Sequence, residues 1–306
     1  MKIVALAGGV GGAKLVDGLA TVLPPDDLTV IVNTGDDFEH FGLTICPDLD
    51  TVCYNLAGLD NPDTGWGRKG ESWETFDAVG LLGGPTWFRL GDRDLGTHLE
   101  RTRRLRKGDT LSTITADFCR SWGIACTVLP MSDQPVPTIV LTEEGQMSFQ
   151  EYFVARQCEP KVTGFRFENI LQAAPAPRVL ESIEVADLVV ICPSNPWVSI
   201  DPILGVPGIR FALESKPVVA VSPLIGGKAL KGPAAKMFAE LEIEPSALAV
   251  ARHYGGLLSG FVLDQQDKNL TKLIGLPALI TDTIMMEREQ RISLAEEVLS
   301  FARDHW

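Results

Sequence analysis

Basic residues are scarce in this sequence: 27 Lys and Arg stand against 40 Asp and Glu, a formal net charge of −13 at pH 7. A nucleic-acid backbone requires a basic binding surface, so this balance argues against nucleic acid as a partner, although a local site can still hold one nucleotide. Apolar runs fall far short of the roughly 20 residues that span a bilayer, so no membrane partner is expected. None of the six cysteines forms a Cys-x-x-Cys pair, which argues against a zinc site and predicts buried free thiols in a cytoplasmic protein.

The two familiar phosphate-binding motifs are also missing. There is no Gly-Lys-Ser/Thr tripeptide, and Lys14 stands where a dinucleotide fingerprint needs its third glycine. Instead, the apolar run Ile3 to Ala7 is followed by the glycine-rich stretch Gly8 to Gly12 and by helically spaced apolar residues, which predicts a buried strand, a tight turn and a helix. The turn either offers backbone N–H groups to a phosphate or uses glycine only for packing. Lys14 correspondingly contacts that phosphate or is a solvated surface lysine.

Further apolar runs, each followed by a polar or glycine turn, predict an α/β fold: a doubly wound, mainly parallel, Rossmann-like sheet with a mostly helical insertion or cap. Strands are predicted within residues 3–7, 28–33, 124–129, 138–141, 147–154, 187–192, 216–221 and 278–281. Residues 1–58 and 177–306 are predicted to form the nucleotide-binding core. Residues 59–176 are predicted to form a mostly helical insertion that contains a β-hairpin and contributes to a ligand site.

Four aspartates follow the second predicted strand: Asp36, Asp37, Asp48 and Asp50. Turns after parallel strands share one sheet edge, which is where such sheets bind ligands. Paired carboxylates beside phosphates are a usual environment of Mg²⁺. One of these aspartates could instead bind a ribose hydroxyl, or the group could serve as turn and cap residues, with Asp48 or Asp50 capping the next helix.

Ser194 and Asn195 lie in a proline-bounded turn after a later strand and are therefore predicted at the same edge. Small polar side chains and bare backbone there can hold phosphates; an ordinary turn is the alternative.

Arg89 lies between two apolar residues and is predicted either to contact an acidic or planar ligand or to form a structural ion pair. Trp66, Trp73 and Trp87 either stack on a flat ring or pack in the core. His98 is interpreted as a helix-surface or capping residue. No Ser/His/Asp spacing supports covalent nucleophilic catalysis.

Taken together, six segments resemble the 2-phospho-L-lactate transferase family (CofD/FbiA-like) of coenzyme F420 biosynthesis, and the resemblance extends from Met1 to about Asp282. The segments are Gly8-Gly-Val-Gly-Gly-Ala-Lys14, Asn33-Thr-Gly-Asp-Asp37, Cys46-Pro-Asp-Leu-Asp-Thr51, Phe88-Arg-Leu-Gly-Asp-Arg-Asp-Leu-Gly-Thr-His98, Pro193-Ser-Asn-Pro196 and Ser222-Pro-Leu-Ile-Gly-Gly227.

The resemblance implies a Mg²⁺-dependent enzyme, typically a homodimer. It would move 2-phospholactate or phosphoenolpyruvate from a guanosine diphosphate-activated donor to the ribityl hydroxyl of Fo, a deazaflavin, giving F420-0 or dehydro-F420-0 and GMP.

By the same resemblance, Asp50 acts in catalysis and contacts Fo together with Arg89, and Trp87 is predicted beside them. Asp36 and Asp50 would hold the metal. The guanosine diphosphate moiety would be held by Gly9, Val10, Gly11, Gly12, Lys14, Ser194 and Asn195.

Two other functions remain open at the level of sequence. A related branch of the superfamily resembles a regulatory, non-catalytic sugar-nucleotide-binding protein. An NAD-dependent oxidoreductase fits the first strand–helix–strand unit but neither Lys14 nor the acidic cluster.

Overall fold

A computed structural model describes residues 1–230 and 232–306. Over these residues the strands are β1 (Ile3–Ala7), β2 (Leu28–Val32), β3 (Phe38–His40), β4 (Leu43–Ile45), β5 (Thr127–Pro130), β6 (Thr138–Thr142), β7 (Gly145–Ser148), β8 (Val162–Phe167), β9 (Leu188–Ile191), β10 (Val218–Val221), β11 (Leu224–Ile225), β12 (Lys228–Ala229), β13 (Gly260–Asp264) and β14 (Ala278–Thr281).

The α-helices over the same residues are α1 (Gly9–Val22), α2 (Pro47–Leu56), α3 (Glu74–Leu81), α4 (Asp92–Leu105), α5 (Leu111–Ser121), α6 (Val179–Glu184), α7 (Asp201–Gly205), α8 (Ile209–Leu213), α9 (Ala234–Glu240), α10 (Ala247–Tyr254), α11 (Thr271–Ile274) and α12 (Arg288–His305). None of the helices in the described part of the chain combines the length and apolar character needed to cross a bilayer.

The central sheet has seven parallel strands in the order β14-β13-β10-β9-β1-β2-β5. From β1 the chain first builds outward through β2 and β5, and then returns to build the other half from β9. The order therefore reverses between β1 and β9, which are direct neighbours in register from Ile3 opposite Leu188 to Leu6 opposite Ile191. Such a reversal opens a crevice beyond the carboxyl ends of the strands, where doubly wound sheets bind ligands. The predicted α/β class is confirmed.

Helices cover both faces of the sheet, as its continuous apolar strands require. One buried cluster joins alternate residues of β1 to α1, α2, α5 and α12. The other joins the opposite residues of β1 to α6–α10 and to a three-stranded antiparallel sheet, β7-β6-β8. Because β1 alternates between the two clusters, both faces of this strand are fixed by packing.

The segment predicted as an insertion, residues 59–176, is not separate from the sheet. Its strand β5 pairs with β2, from Thr29 opposite Thr127 to Val32 opposite Pro130, and so forms an edge of the central sheet. The predicted hairpin is present as β6 and β7, and β8 adds an unpredicted third strand to it.

Three further features depart from the sequence reading. The central strand β13 and the β3–β4 hairpin were not predicted. Neither Asp48 nor Asp50 caps α2, which begins at Pro47 after Cys46 without a side-chain cap. The proline at the first position supplies a suitable φ and has no N–H to satisfy.

Candidate active site

The turns after β1 and β9 are joined directly at the point where the strand order reverses. Ser194 Oγ lies 3.1 Å from the Gly8 backbone N–H, from which it accepts, and donates to the Gly8 carbonyl at 2.8 Å. One hydroxyl thus satisfies both backbone groups of the residue before α1. Ser194 is buried in this position, so its side chain ties the two halves of the crevice together.

Gly11 and Gly12 are small because the two turns approach closely. A Cβ at Gly11 would lie 2.4 Å from the Pro193 carbonyl oxygen, and one at Gly12 would lie 2.5 Å from Ser194 Oγ. Gly9 has a φ of +64°, a left-handed conformation that glycine adopts without strain. Packing therefore accounts for these glycines, and the nucleotide-binding role of Gly9, Val10, Gly11 and Gly12 stays a prediction.

Two other predicted nucleotide contacts already have partners within the protein. Lys14 is half-buried and its Nζ donates to the Met285 carbonyl at 2.6 Å, so it is not a solvated surface lysine. Asn195 Oδ1 accepts from the Trp197 N–H at 3.1 Å, and this bond caps the short helical segment that follows. Both residues lie at the predicted edge, and their contact with a nucleotide stays a prediction.

The predicted acidic residues form a buried group against the glycine turn. Asp48 Oδ1 accepts from the Gly9 N–H at 2.6 Å, and its Oδ2 accepts from Asn33 Nδ2 at 2.8 Å. Asp36 Oδ1 lies 3.5 Å from the same amide nitrogen, and its Oδ2 accepts from Gln150 Nε2 at 3.3 Å. Asn33 therefore links the two carboxylates.

Burial dominates the electrostatics of this group. It raises the pKa of Asp36 well above the ordinary value, and the neighbouring charges of Asp48 and Asp37 raise it further. Burial also raises the pKa of Asp37 well above the ordinary value. It raises the pKa of Asp48 to about 6, although hydrogen bonds to the Asp48 carboxylate partly oppose this rise. The role of this group in holding Mg²⁺ stays a prediction.

Asp50 belongs to a different set of contacts. Arg101, which is 1% exposed, hydrogen-bonds to both oxygens of Asp50. Its Nη1 donates to Oδ2 at 3.0 Å, and its Nη2 donates to Oδ1. His98 Nδ1 lies 3.2 Å from Arg101 Nη1. Since guanidinium only donates, His98 must accept through Nδ1 in this arrangement.

A second carboxylate closes this network. Asp94 Oδ1 accepts from the Tyr54 hydroxyl at 2.7 Å and lies 3.3 Å from His98 Nε2. Burial alone would raise the pKa of Asp94, but the contacts with His98, Tyr54 and Arg101 lower it below the ordinary value. His98 is thus a buried residue between two carboxylates, and its interpretation as a surface or capping histidine was wrong.

Metal-binding capacity differs between the two acidic sets. Asp50, Asp94 and His98 have ligand atoms within 4.8 Å of one another. The Arg101 cation already occupies that position, however, and would repel a second cation. At the other set, Asp37 Oδ1 is buried and accepts no hydrogen bond from the described residues. The predicted metal pair, Asp36 and Asp50, is thus divided between these two environments, and its shared role stays a prediction.

Arg89 and Trp87 lie in the segment between α3 and α4. The Arg89 guanidinium carbon is 4.3 Å from the centre of the Trp73 ring, and no carboxylate in residues 1–230 or 232–306 pairs with it. It therefore stacks rather than forming the alternative ion pair. Trp87 is 36% exposed, and the exposed Trp66 does not pack in the core.

The sequence model of the family "2-phospho-L-lactate transferase CofD" matches residues 3–278. The chain is 44% identical to the phosphoenolpyruvate transferase of Streptomyces griseus, over 97% of this chain and 99% of the relative. It is 39% identical to the 2-phospho-L-lactate transferase of Methanosarcina mazei, over 97% of this chain and 99% of the relative.

A solved structure gives the same fold. The crystal structure of a UPF0052 family protein from Bacillus halodurans superposes with a TM-score of 0.65 at 18% identity, over 97% of this chain and 99% of that one. At this identity the likeness concerns the fold alone.

Proposed function

This chain belongs to the 2-phospho-L-lactate transferase (CofD) family, and we propose that it transfers 2-phospholactate or phosphoenolpyruvate from a guanosine diphosphate-activated donor to the ribityl hydroxyl of Fo. The products would be F420-0 or its dehydro form and GMP. The observation that carries the proposal is the family match over residues 3–278, which takes in both turns of the crevice and the acidic residues between them. One relative is named phosphoenolpyruvate transferase and another 2-phospho-L-lactate transferase. Either acid therefore remains a candidate substrate.

Two features of the crevice support this proposal. Phosphoryl transfer depends on alignment of the reacting oxygens and on neutralisation of charge, and needs no covalent partner on the protein. The N–H groups of Gly8 and Gly9 are bound to Ser194 and Asp48, and the following N–H groups in the first turn of α1 are proposed to bind the diphosphate. Rigid pairing between Ser194 and Gly8 holds the two turns at a fixed separation, which favours one geometry of the bound donor.

Asp50 is proposed to orient the attacking hydroxyl of the acceptor. Both its oxygens accept from Arg101, which fixes the direction of the carboxylate. Each oxygen has a further lone pair, so a substrate hydroxyl can donate to it. The proposed role of Asp50 is therefore orientation of that hydroxyl.

Mg²⁺ fits the acidic group chemically. Asp36, Asp37 and Asp48 provide hard oxygen ligands in a buried, mutually repelling arrangement, and one oxygen of Asp37 has no partner among the described residues. When bound, the ion would neutralise the diphosphate charge. We propose that Asp36 holds it together with Asp37, while Asp50 stays paired with Arg101.

The proposal is tested by incubating the protein with Fo, Mg²⁺ and each activated donor in turn, followed by mass measurement of the deazaflavin product. A mass gain of one phospholactyl or phosphoenolpyruvyl group with release of GMP is expected, and an Asp36→Asn variant should lose it. Absence of any mass gain with both donors would refute the proposal. Light scattering of the same preparation would test the proposed homodimer.

A further inference from the structure

His40 ends β3 of the β3–β4 hairpin, beside the segment that carries Trp87. The two residues of the hairpin turn are Phe41, with φ 53°, and Gly42, with φ 69°. Turns of this kind need positive φ at both positions and ordinarily use Asn-Gly or Gly-Gly. A phenylalanine in the left-handed region is strained, and here the strain holds the Phe41 ring 4.1 Å from the centre of the His40 ring.

Aromatic rings surround His40 on several sides. Besides Phe41, the ring centres of Trp87, Phe88 and Phe38 lie 5.1, 5.7 and 6.1 Å from that of His40. His40 is 5% exposed, and its Nε2 has no hydrogen-bond partner among the described residues. A buried polar atom without a hydrogen-bond partner lowers the stability of the folded state. Nε2 of His40 is therefore a polar atom that does not stabilise the fold.

Burial lowers the pKa of His40 and therefore favours the uncharged form of the His40 imidazole. A neutral imidazole has one N–H donor and one acceptor nitrogen. The aromatic group therefore combines ring faces for stacking with a single uncharged polar atom.

We propose that His40 is a binding residue for the ring system of the acceptor, hydrogen-bonding through Nε2 to a polar edge of the flat heterocycle while neighbouring rings stack on it. This inference rests on the proposed function, since it takes the deazaflavin as the occupant. Trp87 is the partly exposed member of the aromatic group, and rotation of this one side chain would admit the ligand.

The substitution His40→Phe separates a binding role from a structural one. It keeps a planar ring among the aromatic residues and removes only the nitrogen atoms. If Nε2 binds the acceptor, the dissociation constant for Fo, followed by its intrinsic fluorescence, should rise by about tenfold, as expected for one lost buried hydrogen bond. The melting temperature should stay the same or rise, because an unsatisfied polar atom has been removed.

His305→Phe is the matched control, because His305 also packs on aromatic rings, 4.5 Å from Phe301 and 5.4 Å from Trp306, at the end of α12. Its Fo affinity should equal that of the wild type. A His40→Phe dissociation constant within twofold of wild type would overturn the inference, as would a lowered melting temperature accompanying weaker binding. Failure of the wild type itself to bind Fo would instead overturn the proposed function, and the inference with it.

Discussion

Removing the counter-ion of Asp50 should destabilise this protein severely. In an Arg101→Met variant the apolar side chain fills most of the arginine's volume, but the Asp50 carboxylate, 6% exposed, loses the donor to both its oxygens. Breaking a buried ion pair by removing one partner typically costs about 3–5 kcal/mol, since the remaining charge is uncompensated.

That cost converts into a measurable shift in melting temperature. At about 2.1 cal/mol/K per residue, a chain of 306 residues has an unfolding entropy of roughly 640 cal/mol/K. A loss of 3–5 kcal/mol should then lower the melting temperature by about 5–8 °C. Calorimetry at pH 7 and constant protein concentration would measure it.

Arg291→Met is the control for loss of a half-buried arginine. Arg291 Nη1 lies 3.1 Å from Asp17 Oδ2, but Arg288 Nε remains 3.7 Å from that oxygen after the substitution. The loss of stability in Arg291→Met should therefore be less than half of that in Arg101→Met. In the double variant Asp50→Asn with Arg101→Met, the uncompensated charge is gone, so part of the stability should return. Equal shifts for Arg101→Met and Arg291→Met, or a double variant no more stable than Arg101→Met, would refute the reasoning.

Three further outcomes are expected. Gly12→Ala should abolish binding of the guanosine nucleotide in a calorimetric titration, because its Cβ would meet Ser194 Oγ at 2.5 Å, whereas Gly96→Ala in α4, with no atom within 4 Å, should leave binding intact. Arg89→Ala should weaken Fo binding in a fluorescence titration and spare the guanosine nucleotide; equal loss of both would contradict the assignment. The folded pKa of Asp48, about 6, exceeds its unfolded value of about 3.9, so its contribution favours folding below pH 4 and is lost as pH rises through 6. The proposed Mg²⁺ would compete with protons at this group, so its stabilising effect in a thermal melt should be larger at pH 7.5 than at pH 5 and vanish with EDTA.

The parts of the fold that follow from sequence are those whose signal is local. The strand β1, its glycine turn and α1 form within one continuous stretch, and the pattern of apolar residues predicts them directly. The strand β13 was missed because its five residues begin with glycine, which is unfavourable in a strand interior. Its place between β10 and β14 is fixed by tertiary packing, which a single segment does not reveal.

The candidate site divides in the same way. Asp36 and Asp50 were found because they follow a predicted strand, whereas Arg101, 51 residues from Asp50, was not. A signal was nevertheless present: Asp94, His98 and Arg101 are spaced at i, i+4 and i+7, which places them on one face of α4. A polar stripe of this kind ordinarily faces solvent, and only the docking of α4 against β4 and α2 makes it interior. Burial brings Arg101 of α4 against Asp50, the proposed orienting carboxylate. The role proposed for Asp50 therefore depends on packing that the sequence of α4 alone does not specify.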